Sequence, residues 1–565
     1  MDAIKSFKGY EKLDELEEQE FQRKKRKRLV VLIVSSLVLV PVIIGAIAGT
    51  ITHKRNIEES PSTQASYAAS LKALCSSTQY PDSCFTSISA LEMSSTTTDP
   101  EELFKLSLQV VMNSLSKLSL LPEALINKTN SEGEKAALGV CKTVFGDAID
   151  IINNSISSMD VNNGEKQLSF EKIDDLTTWL STSITNQETC LDALDESNST
   201  LLADVKGLMK NSTEYWGFYR SSICRYIESY WEHLRIQDFQ TGSGQGSQAA
   251  LGGKPRANVT VTKDRTGDCK TIKEAVAKVP SKSTSRFVIY IKTGKYVENV
   301  NLNTSKWNVM VYGDGNNKTI VSGSLNFVDG TPTFSTVAFA VVGKGFIAKD
   351  IGFENTAGAE KHQAVAFRSG SDLSVYYRCS FDAFQDTLYA YSGRQFYRKC
   401  DITGTIDFIF GNAAVVFQSC NILPRQPLSY QFDTITAQGK TDPNQYRGIS
   451  IQKCTMYHLD NITTPVYVGR PWKNHSTTVV MQTNIGQFLN PTGWTECISN
   501  VEPPSTIFYV EYQNTGPGSS VNDRVKWPGY RSNFTQKQAL KFTVQSFLKG
   551  NTWLSATNVM FCSSL

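Results

Sequence analysis

Between residues 257 and 555 the apolar positions fall in short β-branched and aromatic runs punctuated by Gly and Asn. One local pattern recurs inside this stretch: a large apolar residue, two residues, Cys, one residue, an apolar residue. It occupies Tyr376 to Phe381, Tyr397 to Ile402, Phe417 to Ile422 and Ile451 to Met456, at spacings of 21, 20 and 34 residues. A period near 20 residues in such a stretch predicts coils of a parallel β-helix, each resting on the last. Equivalent positions then stack about 4.8 Å apart, the ordinary spacing between strands.

Upstream the pattern changes. Apolar residues return at helical intervals over Phe104 to Leu121 and Ala136 to Ile152, and Asp99-Pro100-Glu101-Glu102 is a helix-start signal. Residues 66–235 therefore predict an all-α bundle. Residues 236–256, with Gly242-Ser243-Gly244-Gln245-Gly246 and Gly252-Gly253-Lys254-Pro255, have linker composition. Leu29 to Thr52 is a run of 24 uncharged residues behind Arg23-Lys24-Lys25-Arg26-Lys27-Arg28. That length and flank predict a transmembrane signal anchor at 29–52, a cytosolic tail at 1–28 and a lumenal remainder.

The repeat also sets a pair of acids in phase. Asp386 and Asp407 each lie seven residues after a repeat cysteine, Cys379 and Cys400. Stacking places the two carboxylates side by side. At about 5 Å and an effective dielectric near 20 they repel by about 3 kcal/mol, roughly two pKa units, so one keeps its proton where the other ionises. A proton donor beside a nucleophile or base is what acyl transfer and glycoside cleavage both require.

The segments around these acids carry a specific resemblance. Gly294-Lys295-Tyr296-Val297-Glu298, His362-Gln363-Ala364-Val365, Gln385-Asp386-Thr387-Leu388-Tyr389, Gly404-Thr405-Ile406-Asp407-Phe408-Ile409-Phe410-Gly411-Asn412 and Gly469-Arg470-Pro471-Trp472 resemble, in order, the motifs of the plant pectin methylesterases. The resemblance covers residues 257–555. It implies a right-handed parallel β-helix that hydrolyses galacturonate methyl esters of pectin with no metal and no cofactor. It further implies Asp407 as nucleophile, Asp386 as acid then base, Gln363 and Gln385 as oxyanion donors, and Arg470, Trp472, Thr333 and Gln363 as substrate contacts. Arg470 could clamp Asp407 bidentately, which Lys cannot reproduce.

In the helical segment, Cys75 to Cys84, Cys141, and Trp179 to Cys190 resemble the pectin methylesterase inhibitor family. This likeness implies a four-helix bundle with Cys75–Cys84 and Cys141–Cys190 bridges, able to cover an esterase cleft and hold the enzyme inactive within one chain. Twelve cysteines in an exported chain point to disulfides. Cys379 with Cys400 and Cys420 with Cys454 lie one coil apart, within bridging Cα separation, but so do Cys400 and Cys420, and spacing does not choose between them. Metal is disfavoured because no C-x-x-C occurs and the five His are scattered.

Ten Asn-x-Ser/Thr sequons, all after the apolar run, agree with export to the cell wall as a glycoprotein. The net charge of +3 assigns no partner, and nothing points to nucleic acid. The chain departs from the esterase pattern at Arg265, Cys269 and Cys497, and it lacks a paired-basic processing site before residue 257. Cys224, Cys269, Cys497 and Cys562 have no partner suggested by the family. Two rivals remain: a β-helical galacturonan hydrolase, and a non-catalytic wall-binding or inhibitor protein. A Ser-His hydrolase is disfavoured because no G-x-S-x-G occurs.

Overall fold

The computed structural model describes residues 63–76, 81–91, 98–159, 169–209 and 255–565. The expected cytosolic tail, the anchor at 29–52, most of the linker, and Cys224 lie outside the described residues. Among the described residues no helix is long and apolar enough to cross a membrane.

The helical part comprises α1 (Thr63–Ser76), α2 (Pro81–Ser89), α3 (Pro100–Leu118), α4 (Leu121–Ile126), α5 (Glu132–Met159) and α6 (Phe170–Glu196). The start signal at Asp99 behaves as read: its carboxylate accepts from the Glu101 N–H and Pro100 opens the helix. The apolar stripe that predicts a helix through Leu121 is divided, because Pro122 starts the short helix α4. Phe104, Leu108, Val111 and Leu115 of α3 pack against Ala148 and Ile152 of α5 and Leu176 and Leu180 of α6. Disulfides Cys75–Cys84 and Cys141–Cys190, with Cα separations of 5.6 and 4.4 Å, pin α1 to α2 and α5 to α6.

Residues 255–565 form a parallel β-helix with sheets of eleven, eight and seven strands. The repeat is in register as expected: Tyr376, Tyr397, Phe417 and Ile451 are successive partners in one sheet. Phe381, Ile402, Ile422 and Met456 are partners in another. Stacked rings fill the interior, with Tyr376 to Tyr397 at 4.3 Å and Tyr397 to Phe417 at 4.7 Å between centroids. Each repeat cysteine follows a corner residue in the left-handed region: Arg378, Lys399, Ser419 and Lys453 have φ of 52 to 54°. This corner swings the chain from one sheet to the next and aims the cysteine inward.

That orientation corrects the bridging expected in the β-helix. Cys379, Cys400, Cys420 and Cys454 are buried thiols, not disulfides. The cysteines take equivalent places between in-register strands of successive coils, so their side chains project along parallel vectors and their Cβ atoms keep roughly the coil spacing of about 4.8 Å, whereas bridged Cβ atoms average about 3.8 Å. Each thiol instead faces a carbonyl of the preceding coil: Cys379 that of Ala348, Cys400 that of Tyr376, Cys420 that of Tyr397 and Cys454 that of Phe417.

Bundle and β-helix share one apolar cluster, in which Val144, Phe145, Ala193 and Leu194 meet Phe334, Val365, Tyr389, Tyr391 and Phe410. The face of α6 that these contacts select lies along the seven-stranded sheet.

Candidate active site

The seven-stranded sheet carries the site. Gln385 and Asp386 immediately precede strand Leu388–Ala390, Asp407 precedes Ile409–Gly411, and Arg470 lies within Val466–Pro471, with Trp472 just after it. Leu388 pairs with Ile409, so the same offset of 21 residues sets Asp386 opposite Asp407. The Asp386 N–H donates to the Ile406 carbonyl at 3.0 Å, and the two aspartates share a left-handed conformation with φ of 65 and 52°. Asp accepts this region more readily than most residues, and repeating it on adjacent coils keeps both side chains on one side of the sheet.

Arg470 grips Asp407 with two nitrogens: Nη2 lies 2.6 Å from Oδ2, and Nε lies 2.9 and 3.1 Å from Oδ1 and Oδ2. Thr434 locks the opposite side, its hydroxyl donating to Asp407 Oδ1 at 2.6 Å and accepting the Asp407 N–H at 2.8 Å. Nothing in the residue pattern marks Thr434, which is an ordinary strand residue until the next coil brings it beneath Asp407. Asp386 is only 8 % exposed. Burial, then the charges of Asp407 and Glu196, push its carboxyl well above the usual carboxylate range, against the opposing pull of Arg470. The site therefore sets a buried carboxyl of raised pKa next to an ion-paired carboxylate.

Gln363, Gln385, Thr333 and Trp472 line the same cavity of about 240 Å³ as the two aspartates and Arg470, so every expected catalytic and substrate-contact residue is brought together. Trp472 is half-buried, edge-on to Tyr389 and Phe410, with the backbone of Gly439 close against its six-membered ring. Cys497, one of the departures from the esterase pattern, also lines the cavity. Among the described residues no three His, Cys, Asp or Glu side chains converge as a metal site.

The fourth wall is α6. Thr189, Asp192, Ala193 and Glu196 line the cavity together with the aspartates. Glu196 accepts a hydrogen bond from the Thr333 N–H at 3.1 Å, and Asp192 is ion-paired with Lys473. Further back along the helix, Asn186 and Thr189 bond to the Tyr391 hydroxyl, Thr185 to Asn412, and Asp175 to Arg394. With Thr178 and Thr182, which bond to Arg447, these positions recur every three or four residues, so a single face of α6 is committed to the β-helix from Asp175 to Glu196.

A parallel β-helix that gathers two aspartates, an arginine and two glutamines in one cleft, and that is matched over its length by an esterase family model, places the chain among the carboxylic ester hydrolases. Residues 258–551 match the Pectinesterase family model, and residues 69–227 match the Plant invertase/pectin methylesterase inhibitor model. The chain is 54% identical to Pectinesterase 3 of Phaseolus vulgaris, covering 100% of both chains. It is 53% identical to Pectinesterase 1 of Arabidopsis thaliana over 89% of each. Among solved structures, pectin methylesterase from carrot is 48% identical and superimposes with a TM-score of 0.53, covering 56% of this chain and 100% of that one. The chain belongs to the pectinesterase family, with an inhibitor-type helical domain ahead of its esterase domain. Removal of methyl esters from pectin is the activity this membership supports.

Proposed function

We propose that the chain hydrolyses galacturonate methyl esters by covalent catalysis at Asp407, with α6 acting as a built-in inhibitor. Asp407, aimed by Arg470 and Thr434, attacks the ester carbonyl carbon. The amide N–H groups of Gln363 and Gln385 receive the negative charge that develops on the carbonyl oxygen, where one donor is typically worth about 3 kcal/mol of barrier. Asp386 passes its proton to the departing methoxy oxygen, methanol leaves, and an anhydride joins Asp407 to the galacturonate carbonyl. Asp386, now a base, takes a proton from water as the water oxygen attacks the anhydride. The free galacturonate and Asp407 are regenerated, and Asp386 is again protonated.

The observation that carries this reading is the bidentate Arg470–Asp407 pair beside the buried carboxyl of Asp386, whose pKa is raised. A galacturonan hydrolase would need a carboxylate pair that cleaves a glycosidic bond, so new reducing ends without methanol would replace the reading.

Autoinhibition follows from steric exclusion. A polymer chain cannot lie on Trp472 and reach Asp407 while Asp192, Ala193 and Glu196 occupy the other side of a cavity of about 240 Å³. While both domains share one chain, the tether gives an effective concentration on the order of millimolar, so even a weak contact is largely occupied, and after linker cleavage dilution releases the helix. The test compares methanol release by residues 54–565 and residues 257–565 at equal concentration. Equal specific activity would remove the inhibitory role. We extend the proposal to location: residues 29–52 anchor the precursor, with the enzyme facing the cell wall. Extraction of the intact precursor from membranes by alkaline carbonate would contradict the anchor.

A further inference from the structure

Toward the N-terminal end of α6, a second cavity of about 310 Å³ opens between bundle and β-helix, and it shares no lining residue with the active site. Lys172 and Trp179 of α6 face Trp307 and Lys344 of the β-helix across it, and Asn154 and Ser158 of α5 close one side. The Lys344 ammonium lies 4.2 Å from the Trp307 ring centre and 5.6 Å from that of Trp179, and Lys172 lies 5.9 Å from Trp179. Lys282 adds a third ammonium 5.7 Å from Trp307.

The acids nearby are already engaged. Asp175 and Asp372 both pair with Arg394, and the Trp179 indole N–H donates to Asp372 at 3.2 Å. Among the described residues, neither Lys172 nor Lys344 has a carboxylate within ion-pair distance. Burial lowers the Lys344 pKa, and the charges of Asp175 and Asp372, which also line the cavity, offset this only in part. The cavity thus offers ammonium groups without a direct ion pair, two indole rings, and amide and hydroxyl groups. A pyranose bearing a carboxylate answers each of these, with an anion, an apolar CH face and ring hydroxyls.

We propose that this junction cavity binds a short de-esterified galacturonate segment, its carboxylate on Lys344 and Lys172 and a sugar face against Trp307. The choice of sugar rests on the pectin reading of the neighbouring cleft. A methyl ester abolishes the charge, so the cavity prefers the product of the reaction over its substrate. Its walls come from both domains, so a bound segment stabilises the docked arrangement by mass action and restrains the enzyme as product accumulates.

The test is calorimetric titration of the full chain carrying Asp407→Ala, which prevents turnover, with trigalacturonate, its trimethyl ester and inorganic phosphate as separate probes. Trigalacturonate should bind, and both the ester and phosphate at least about tenfold more weakly, the scale of one lost charge-assisted hydrogen bond. Adding Lys344→Gln should weaken trigalacturonate by a similar factor without altering the thermal midpoint, whereas adding Trp472→Ala should leave it unchanged. No binding, insensitivity to Lys344→Gln, loss through Trp472→Ala, or equal affinity for phosphate or for the ester would each overturn the assignment. Methanol release by residues 257–565 is measured independently, so failure of the pectin reading is distinguishable from failure of this one.

Discussion

Arg470 holds Asp407 by both Nη2 and Nε, so the orientation of the carboxylate is set by a rigid planar fork and by the Thr434 hydroxyl beneath it. Arg470→Lys keeps the positive charge but loses the fork. It should fold normally and lower kcat about 100-fold or more, the usual scale for misorienting a reacting group by about 1 Å. KM should change much less. Turnover near that of the parent would reduce Arg470 to a structural cation.

The two aspartates have different tasks and should fail differently. Asp407→Ala removes the attacking atom and should abolish methanol release. Asp386→Asn keeps the shape and a hydrogen-bond donor but cannot give up and recover a proton, and it should lose at least about 100-fold in kcat, the lower end of what a positioned acid–base group supplies. In the isolated esterase domain the contribution of Glu196 and the burial under α6 are gone, but the charge of Asp407 still raises the Asp386 carboxyl, and activity should fall as pH rises past that pKa, because the acid is then spent before it can act. A flat alkaline limb in the pH profile would argue against Asp386 as the donor.

Trp472 combines packing on Tyr389 and Phe410 with a half-exposed indole. Trp472→Ala should raise KM for polymeric pectin more than it lowers kcat, and an unchanged KM would leave packing as its only role. Gly439→Ala gives an independent check without touching the indole itself. The added Cβ would lie 2.7 Å from Trp472 Cε3, so the ring must shift, and KM should rise in the same direction.

The coil register could be read from the chain because every turn must bury an apolar residue at the same place, and Tyr376, Tyr397, Phe417 and Ile451 do so. The phase of Asp386 and Asp407 followed from that register. Side-chain direction did not: the cysteine spacing satisfied Cα geometry, but parallel projection from successive corners kept the sulfurs as separate thiols. The left-handed corners were equally hidden, since Arg378, Lys399, Ser419 and Lys453 are not residues that advertise positive φ. Glu196 was invisible for a different reason. Its partner, Thr333, is 137 residues away in another domain, and no local pattern encodes that contact.

Glu196 also gives the docked helix a dependence on pH. Burial raises its carboxyl from 4.5 to about 7, with Asp192 and Asp195 adding to the shift and hydrogen bonds from Thr333 opposing it. From the facing sheet, Asp386 shares the cavity, its own carboxyl raised in part by the charge of Glu196, while Lys473 is already committed to Asp192. Within the bundle, Asp147 is raised to about 6, mainly by burial, and lies in the field of Arg368. For a carboxyl whose pKa is raised by docking, the docked state holds the extra proton between the free value near 4.5 and the docked value near 7, so docking weakens as pH rises through that window. Methanol release by residues 54–565, divided by that of residues 257–565 at the same pH, should therefore increase from pH about 5 to about 7, because the division removes the titration of the esterase itself. Glu196→Gln should flatten much of this rise while keeping the hydrogen bond to Thr333, leaving a smaller slope from Asp147. A ratio that stays constant across the window, or one unaffected by Glu196→Gln, would show that the helix is not released by ionisation of this carboxyl.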